Sequence, residues 1–157
     1  MFVSRLSTPI GELTLSASDT ALIGVAFPSW RHRPARARRD TMSEVLGRAK
    51  DQLTEYFTGT RTTFDIPLDA AGSEFERRVW DLLRAIPYGA TTTYGELAKR
   101  LGSTKEARAV GAANGKNPIP IIVPCHRVIG ANGDLTGFGG GIERKRWLLQ
   151  HEGALLL

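Results

Sequence analysis

The sequence predicts an α+β fold in two parts, and three observations support it. Apolar and polar residues alternate through residues 2–27, which is typical of strands with one buried face. Between residues 73 and 106, three hydroxyl residues each precede a glutamate by three positions, a signature of helix starts. The stretch Asp-Ala-Ala-Gly at 69–72 separates the two patterns. We therefore expect an N-terminal α/β part over residues 1–71 and a mainly helical part over residues 72–157.

In the first part, alternation predicts three strands joined by short turns, over Phe2–Leu6, Leu13–Ala17 and Leu22–Phe27. An amphipathic helix is predicted over Thr41–Phe57, ending at Gly59, and residues 62–68 allow a further strand. The stretch from Ser29 to Asp40 is rich in arginine and interrupted by proline. We expect it to be an exposed, solvated loop, although its charge would also suit phosphate contacts.

In the second part, the helix starts fall at Ser73, Thr93 and Ser103, and a last helix is predicted over Ile142–Glu152. That last helix is expected to point Arg144, Lys145 and Arg146 outward and Trp147, Leu148 and Leu149 inward. The two short helices, Tyr94–Leu101 and Thr104–Ala113, are joined by a tight turn at Gly102 and fit a helix-turn-helix. The pattern fits ordinary helix packing equally well. Arg108, on a face of small residues, favours DNA binding.

The segment from Asn117 to Val128, NPIPIIVPCHRV, contains the only cysteine of the chain, Cys125. Its prolines predict an extended, stiff backbone. A lone cysteine is most often a small buried apolar residue. Here His126 could act as a base and Arg127 could supply positive charge, and both would favour a reactive thiolate.

Adjacent residues face opposite ways on a strand, so a turn must begin at Cys125 or a water must bridge the thiol and the imidazole. A third group must also orient His126, and the downstream candidates are Asp134, Glu143 and Glu152.

Composition limits the classes of function. The net charge is +5, with nine Lys and Arg against eight Asp and Glu in residues 1–71, and twelve against eight in residues 72–157. This excess favours an anionic partner such as nucleic acid. One cysteine and three scattered histidines argue against disulfides and a structural metal site. The glycines at 137–141 lack phosphate-loop spacing, so no nucleotide cofactor is expected. No membrane span or signal pattern is apparent, so we expect a cytoplasmic protein.

The motif Val123-Pro-Cys-His-Arg-Val128 has Asn117-Pro before it and Gly137-Phe-Gly-Gly-Gly141 and His151-Glu152 after it. With these flanks it resembles the O6-alkylguanine-DNA alkyltransferases, also called methylated-DNA–protein-cysteine methyltransferases. The resemblance implies a ribonuclease-H-like first lobe and a helix-turn-helix that binds duplex DNA in the minor groove. It implies DNA repair by base flipping, followed by transfer of the alkyl group from O6-alkylguanine, and from O4-alkylthymine, to Cys125. The transfer is irreversible, so each protein molecule acts once, without a cofactor.

The resemblance also assigns roles to individual residues. Cys125 would attack the alkyl carbon, His126 would take the thiol proton through a water, and Glu152 would orient His126. Tyr94 would assist extrusion of the base and donate a hydrogen bond to it, and Asn117 would hold the turn that presents the thiol. The remaining candidates are Val128, Pro120, Phe138, Gly139 and Gly140 for the substrate, and Arg108, Ala107, Ala109, Thr104 and Lys116 for DNA. Arg108 would fill the space that the flipped base leaves. Many relatives have serine at position 139, so here only a backbone hydrogen bond to the base is implied.

Three other functions fit parts of the pattern. A non-catalytic binder of alkylated DNA would share the fold, but such proteins typically have tryptophan in place of Cys125. A cysteine hydrolase would use Cys125 and His126 and turn over repeatedly. A transcriptional regulator would need a dimer to bind paired half-sites, and no dimerisation stripe is evident. We expect a monomer with no obligate protein partner.

Overall fold

The computed structural model describes residues 1–30, 43–102, 107–135 and 137–155. The chain divides into two compact units, Met1–Ala71 and Gly72–Leu157. The first unit consists of a small sheet with one helix, and the second is mainly helical. The mixed α+β class predicted from the sequence is therefore confirmed.

Three antiparallel strands form the sheet of the first unit, in the order β1 (Phe2–Thr8), β2 (Gly11–Ala17) and β3 (Leu22–Ala26). The β1–β2 register runs from Phe2 opposite Ala17 to Thr8 opposite Gly11. The middle strand β2 is buried from Leu13 onward, as expected for a strand paired on both sides. The predicted meander is confirmed.

Helix α1 (Glu44–Phe57) packs against all three strands through its apolar face, which includes Leu46, Ala49 and Leu53. Ser43 caps its start by accepting a hydrogen bond from the backbone N–H of Leu46. The helix therefore begins later than the predicted Thr41. Most of the predicted arginine-rich loop, together with residues 41 and 42, lies outside the described residues.

The further strand allowed at residues 62–68 does not form. Only Leu68 makes a bridge to the sheet, pairing with Leu22. Leu22 donates its N–H to the carbonyl of Pro67 and accepts the N–H of Asp69. Because Pro67 has no N–H to donate, pairing cannot continue as a ladder in this direction.

The second unit contains α2 (Glu74–Arg84), α3 (Tyr94–Arg100), α4 (Ala107–Gly115) and α5 (Ile142–His151). Two very short parallel strands, β4 (Thr92–Thr93) and β5 (Val128–Ile129), pair with each other. The capping box predicted at Ser73 forms with both of its hydrogen bonds. The start predicted at Thr93 is also confirmed, whereas the capping box at Ser103 lies outside the described residues.

Helix α4 is anchored on its inner side and exposed on its outer side. It packs against α2 and α3, and the buried indole N–H of Trp80 in α2 donates to the carbonyl of Ala113 at 2.9 Å. Val110, Ala113 and Asn114 form its buried face, spaced three and four residues apart. This packing leaves the opposite face of the helix free for a partner.

The prediction for the side chains of α5 is wrong at Lys145. Arg146 points outward, but Lys145 is fully buried together with Leu148 and Leu149. The spacing explains this difference, because Lys145, Leu148, Leu149 and Glu152 fall on one face of a helix. In the described part of the chain, no helix is both long and apolar enough to span a bilayer.

Candidate active site

Cys125 begins a single 3-10 turn, Cys125–Arg127, that leads into β5. The backbone N–H of Cys125 donates to the carbonyl of Val123, and that of Arg127 donates to the carbonyl of Pro124. The alternative of a turn beginning at Cys125 is therefore confirmed. The extended backbone predicted for the segment before the thiol is wrong, because the N–H of Val123 donates to the carbonyl of Ile119. The turn is buried throughout, and Cys125 retains 5% of its surface exposure.

Asn117 holds the loop that precedes the thiol. Its Nδ2 donates to the carbonyl of Val123 at 2.8 Å, and its Oδ1 accepts the N–H of Ile119 at 3.0 Å. Between them, Ile121 has a φ of +74°, which is a strained conformation for a β-branched residue. Because both amide atoms of Asn117 bind the backbone, they fold the segment back on itself despite its prolines.

Glu152 follows the last residue of α5, and its carboxylate binds two side chains of the turn. His126 Nε2 lies 2.7 Å from Glu152 Oε2. Arg127 donates from Nε to Oε1 at 2.8 Å and from Nη2 to Oε2 at 3.1 Å. All three side chains are buried. Glu152 is thus the carboxylate that orients the imidazole, whereas Asp134 and Glu143 are exposed.

The protonation of this cluster follows from its contacts. Burial acts to raise the pKa of Glu152, but hydrogen bonds from His126 and Arg127 and the positive charge of Arg127 outweigh it and lower the pKa to about 2. Burial lowers the pKa of His126, so the imidazole is neutral at pH 7. Because Nε2 faces a carboxylate, it carries the proton, and Nδ1 is left as an acceptor. His126 Nδ1 is buried without a hydrogen-bond partner among the described residues.

Cys125 is a protonated thiol in this arrangement. Burial raises its pKa to about 11, against the opposing effects of a hydrogen bond from Asn117, the charge of Lys145 and backbone N–H groups. The expectation that Arg127 would supply the positive charge that favours the thiolate is wrong. Its guanidinium is turned away to Glu152 and to the carbonyl of Ile86, which accepts its Nη1 at 2.7 Å.

Lys145 supplies the positive charge that was expected from Arg127. Its ammonium group donates to the carbonyl of Val128 at 2.6 Å. Burial lowers the pKa of Lys145 to about 8, and Cys125 acts in the opposite direction. Lys145 was not among the predicted site residues. Its helical spacing with Leu148 and Glu152 was the signal that could have found it.

Tyr94, the first residue of α3, belongs to the same site. Burial and the neighbouring Cys125 raise the pKa of its phenol, so the hydroxyl stays protonated at neutral pH. Its ring lies over Gly111 of α4, where an added Cβ would lie 3.8 Å from the ring. A Cβ on Gly137, whose φ is +71°, would lie 3.2 Å from the Tyr94 oxygen. Glycine at these two positions therefore leaves room for the phenol beside the thiol.

The other predicted residues fall into two groups. Val128 and Pro120 are buried, Phe138 is half-buried, and the carbonyl of Gly140 accepts a hydrogen bond from Arg144 at 3.0 Å. Arg108 and Ala109 are exposed on α4, and Lys116 is exposed and paired with Glu76 at 3.7 Å. Ala107 is half-buried, and Thr104 lies outside the described residues.

Two family profiles together match nearly the whole chain. Residues 1–70 match the ribonuclease-like domain of 6-O-methylguanine DNA methyltransferase, and residues 74–154 match the DNA binding domain of the same family. The chain belongs to this family. A methylated-DNA–protein-cysteine methyltransferase from Mycolicibacterium paratuberculosis is 50% identical over 147 residues, covering 94% of this chain and 89% of the relative.

Further relatives extend this agreement. A methylated-DNA–protein-cysteine methyltransferase from Shigella flexneri is 56% identical, and the alignment covers 98% of this chain and 96% of that protein. The crystal structure of Mycobacterium tuberculosis OGT in complex with DNA superposes with a TM-score of 0.89 at 47% identity, covering 98% of this chain and 94% of that one. The family predicted from the motif around Cys125 is therefore confirmed.

Proposed function

We propose that the protein repairs alkylated DNA by moving the alkyl group from O6-alkylguanine to Cys125 in one irreversible step. The observation that carries this proposal is the arrangement of Cys125 and His126 on one turn. The thiol begins the turn, and the next residue has a buried acceptor at Nδ1 while Glu152 holds its other nitrogen. A nucleophile, a base and an orienting group are the parts that such a transfer requires.

The chemical step follows from these groups. The sulfur of Cys125 attacks the alkyl carbon, the S–C bond forms, and the bond between that carbon and guanine O6 breaks. His126 Nδ1 accepts the thiol proton through a water, the departing guanine anion takes a proton at N1 from solvent, and His126 returns its extra proton to solvent, so atoms and charges balance. Because the resting thiol has a raised pKa, its proton leaves as the attack proceeds. The product is a thioether, which has no route back to the thiol.

Tyr94 and the carbonyls of the turn are suited to holding the base. The protonated phenol of Tyr94, beside Cys125, donates a hydrogen bond to the departing guanine. The carbonyls of Cys125 and Val128 accept from the guanine amino group. Lys145 donates a hydrogen bond to one lone pair of the Val128 carbonyl oxygen, which fixes the direction of that carbonyl and leaves the other lone pair for the base. In this proposal, the backbone of Phe138, Gly139 and Gly140 and the ring of Pro120 also contact the base. O4-alkylthymine has an equivalent alkyl–oxygen bond and is a second substrate in this proposal.

Helix α4 is the element that meets DNA. Arg108 is exposed on it, next to Ala107 and Ala109, so a long cation stands on a surface that allows close approach. With α3 it makes a helix-turn-helix that enters the minor groove, and Lys116 adds a phosphate contact. The target base must leave the stack to reach Cys125, and Arg108 occupies the space that it leaves. The crystal structure of the Mycobacterium tuberculosis relative in complex with DNA supports DNA as the partner. In this proposal the protein acts as a monomer, since each chain supplies the one thiol that the transfer needs.

Transfer of a radiolabelled methyl group tests this proposal against two of the other functions, a cysteine hydrolase and a non-catalytic binder. Incubation with a duplex that carries O6-[methyl-³H]guanine should move the label from the DNA to the protein. A cysteine hydrolase would instead release the label into solution and turn over repeatedly. A non-catalytic binder would leave the label on the DNA. Either of these two results would contradict the proposal.

Arg108→Ala is expected to impair base flipping more than binding of undamaged DNA. The substitution removes the side chain that fills the vacated stack, which should slow transfer by about tenfold or more. The affinity for undamaged duplex should fall less, because Arg108 is only one of several positively charged side chains that can contact phosphates. A 2-aminopurine probe at the target position reports flipping, and fluorescence anisotropy reports binding. Lys99→Ala, which removes an exposed cation of α3, is the matched control. An equal loss of flipping and binding in Arg108→Ala would remove the role assigned to Arg108.

A further inference from the structure

Asn114 has a buried amide next to the nucleophile. It lies on the inner face of α4 with 2% of its surface exposed. Its Nδ2 donates to the carbonyl of Cys125 at 3.4 Å. The donor end of the amide therefore faces the turn, and its Oδ1 is left as an acceptor in the buried interior.

The site has two buried acceptors that lack a partner. Among the described residues, Asn114 Oδ1 and His126 Nδ1 are the buried side-chain atoms without one. A buried polar group that stays unpaired is costly, so each of these two acceptors calls for a donor. The amide of Asn114 donates to the carbonyl of Cys125, and His126 is the next residue of the turn, so both side chains adjoin the same turn. Two acceptors can be satisfied together by a molecule with two O–H groups, and water is such a molecule.

We propose that Asn114 is a positioning residue for removal of the thiol proton, acting through the water that connects Cys125 with His126. One O–H of this water donates to Asn114 Oδ1 and the other to His126 Nδ1. The lone pairs of the water then face the S–H of Cys125. In the transfer, the water takes the thiol proton and gives its own proton to His126 Nδ1, so it is unchanged at the end. The inference rests on the proposed function and adds the group that orients the proton carrier.

Asn114 also links the helix proposed to meet DNA to the nucleophile. Arg108 and Asn114 lie on opposite faces of α4, one exposed and the other buried. The amide of Asn114 binds the carbonyl of Cys125, which in the proposed function accepts from the guanine amino group. Asn114 therefore also fixes the direction of this carbonyl. This differs from the role of Asn117, whose amide binds the loop before the thiol.

The test measures the pH dependence of Cys125 in Asn114→Leu, a substitution of similar size that removes both polar atoms. The rate of alkylation by iodoacetamide, followed against pH, reports thiol ionisation without DNA. The groups that face Cys125 and His126 are Tyr94 of α3, Arg127 of the turn, Lys145 of α5 and Glu152, and the substitution leaves all of them in place. We expect the pH profile of the alkylation rate to move to higher pH in Asn114→Leu. Methyl transfer at pH 7 should slow by about tenfold, the equivalent of one hydrogen bond lost from the reacting state.

The matched control is Gln52→Leu in the first unit. Gln52 is also a buried amide, and it makes two hydrogen bonds, both to the backbone of Asp65. Its replacement should lower the free energy of unfolding, yet leave the pH profile unchanged. If Asn114→Leu does not fold, Asn114→Ala removes the same atoms without added bulk and is judged in the same way.

The outcomes separate this inference from the proposed function. If the parent protein transfers the methyl group and the folded Asn114 variant keeps the parent's pH profile and rate, the positioning role is wrong. If the parent transfers no methyl group, the proposed function fails, whatever the profile shows. A shifted profile with slower transfer, in a variant that binds DNA like the parent, supports the role of Asn114.

Discussion

Replacing Cys125 with alanine is expected to abolish methyl transfer and to leave binding of lesion-containing duplex intact. The substitution removes the sulfur that forms the new bond, and this chain has no second cysteine to replace it. The side chain is small and buried, so alanine fits without overpacking and the loss of packing is modest. Anisotropy with a labelled duplex measures binding, and a single-turnover assay measures the loss of O6-methylguanine.

Cys125→Ser is the complementary variant for this prediction. It keeps the shape of the side chain but replaces the thiol by a hydroxyl, which is far less nucleophilic at neutral pH. It should therefore bind and flip the base but transfer no methyl group. Removal of the methyl group by either variant at the parent's rate would show that the nucleophile lies elsewhere.

The second large effect is expected for Glu152→Ala, which should lower the free energy of unfolding by roughly 3–5 kcal/mol. The carboxylate accepts hydrogen bonds from both His126 and Arg127 in a site sealed from solvent. Its removal leaves the guanidinium of Arg127, 6% exposed, without its counterion. Transfer should slow as well, because the imidazole of His126 loses the group that orients it. Chemical denaturation measures the first effect and the single-turnover assay the second.

The structure offers a close control for the stability of this ion pair. Arg61 donates from Nε to Glu55 Oε1 at 2.7 Å, nearly the same distance as between Arg127 Nε and Glu152 Oε1, but the side chains of that pair are 29% and 47% exposed. Solvent screens such a pair, so Glu55→Ala should cost at most about 1 kcal/mol. Equal decreases in the free energy of unfolding of Glu152→Ala and Glu55→Ala would contradict the claim that burial makes the Glu152 ion pair important for stability.

The same cluster sets a pH dependence with a definite sign. The pKa of Glu152 is about 2 in the folded protein, below its ordinary value near 4.5. The folded state therefore gains stability from the ionised carboxylate above the ordinary pKa, and this gain disappears as the pH falls toward 2. The free energy of unfolding of the parent should fall by about 3 kcal/mol between pH 4.5 and pH 2, and that of Glu152→Ala should fall by less. Chemical denaturation at a series of pH values measures this dependence. Parallel curves of the free energy of unfolding against pH for the two proteins would show that the folded protein does not hold the carboxylate in its ionised form.

Much of the fold followed from local patterns. Alternation predicted the three strands, because a sheet with one buried face imposes a period of two. The capping box at Ser73 predicted the start of α2, since both partners lie within one turn of helix. The strand allowed at residues 62–68 does not form. A sequence pattern shows which residues favour a strand, but not whether the edge of a sheet is available for pairing.

The site was predicted less completely, for reasons that lie in tertiary contacts. The prolines of 117–124 indicated extended backbone, but Asn117 folds the segment back and Ile121 takes a conformation that its residue type disfavours. Arg127 was assigned to the thiol because of sequence adjacency, whereas the turn directs it to Glu152. Lys145 was expected to be solvated because it is charged. Its burial depends on the carbonyl of Val128, seventeen residues earlier.

Mass spectrometry of the intact protein tests the central claim most directly. The parent is incubated with an excess of duplex containing O6-methylguanine, and the products are digested and sequenced as peptides. We expect each molecule to gain one methyl group and then stop, with the modification on the peptide that contains Cys125. Continued removal of lesions without a change in protein mass, or a methyl group on any other residue, would contradict the account.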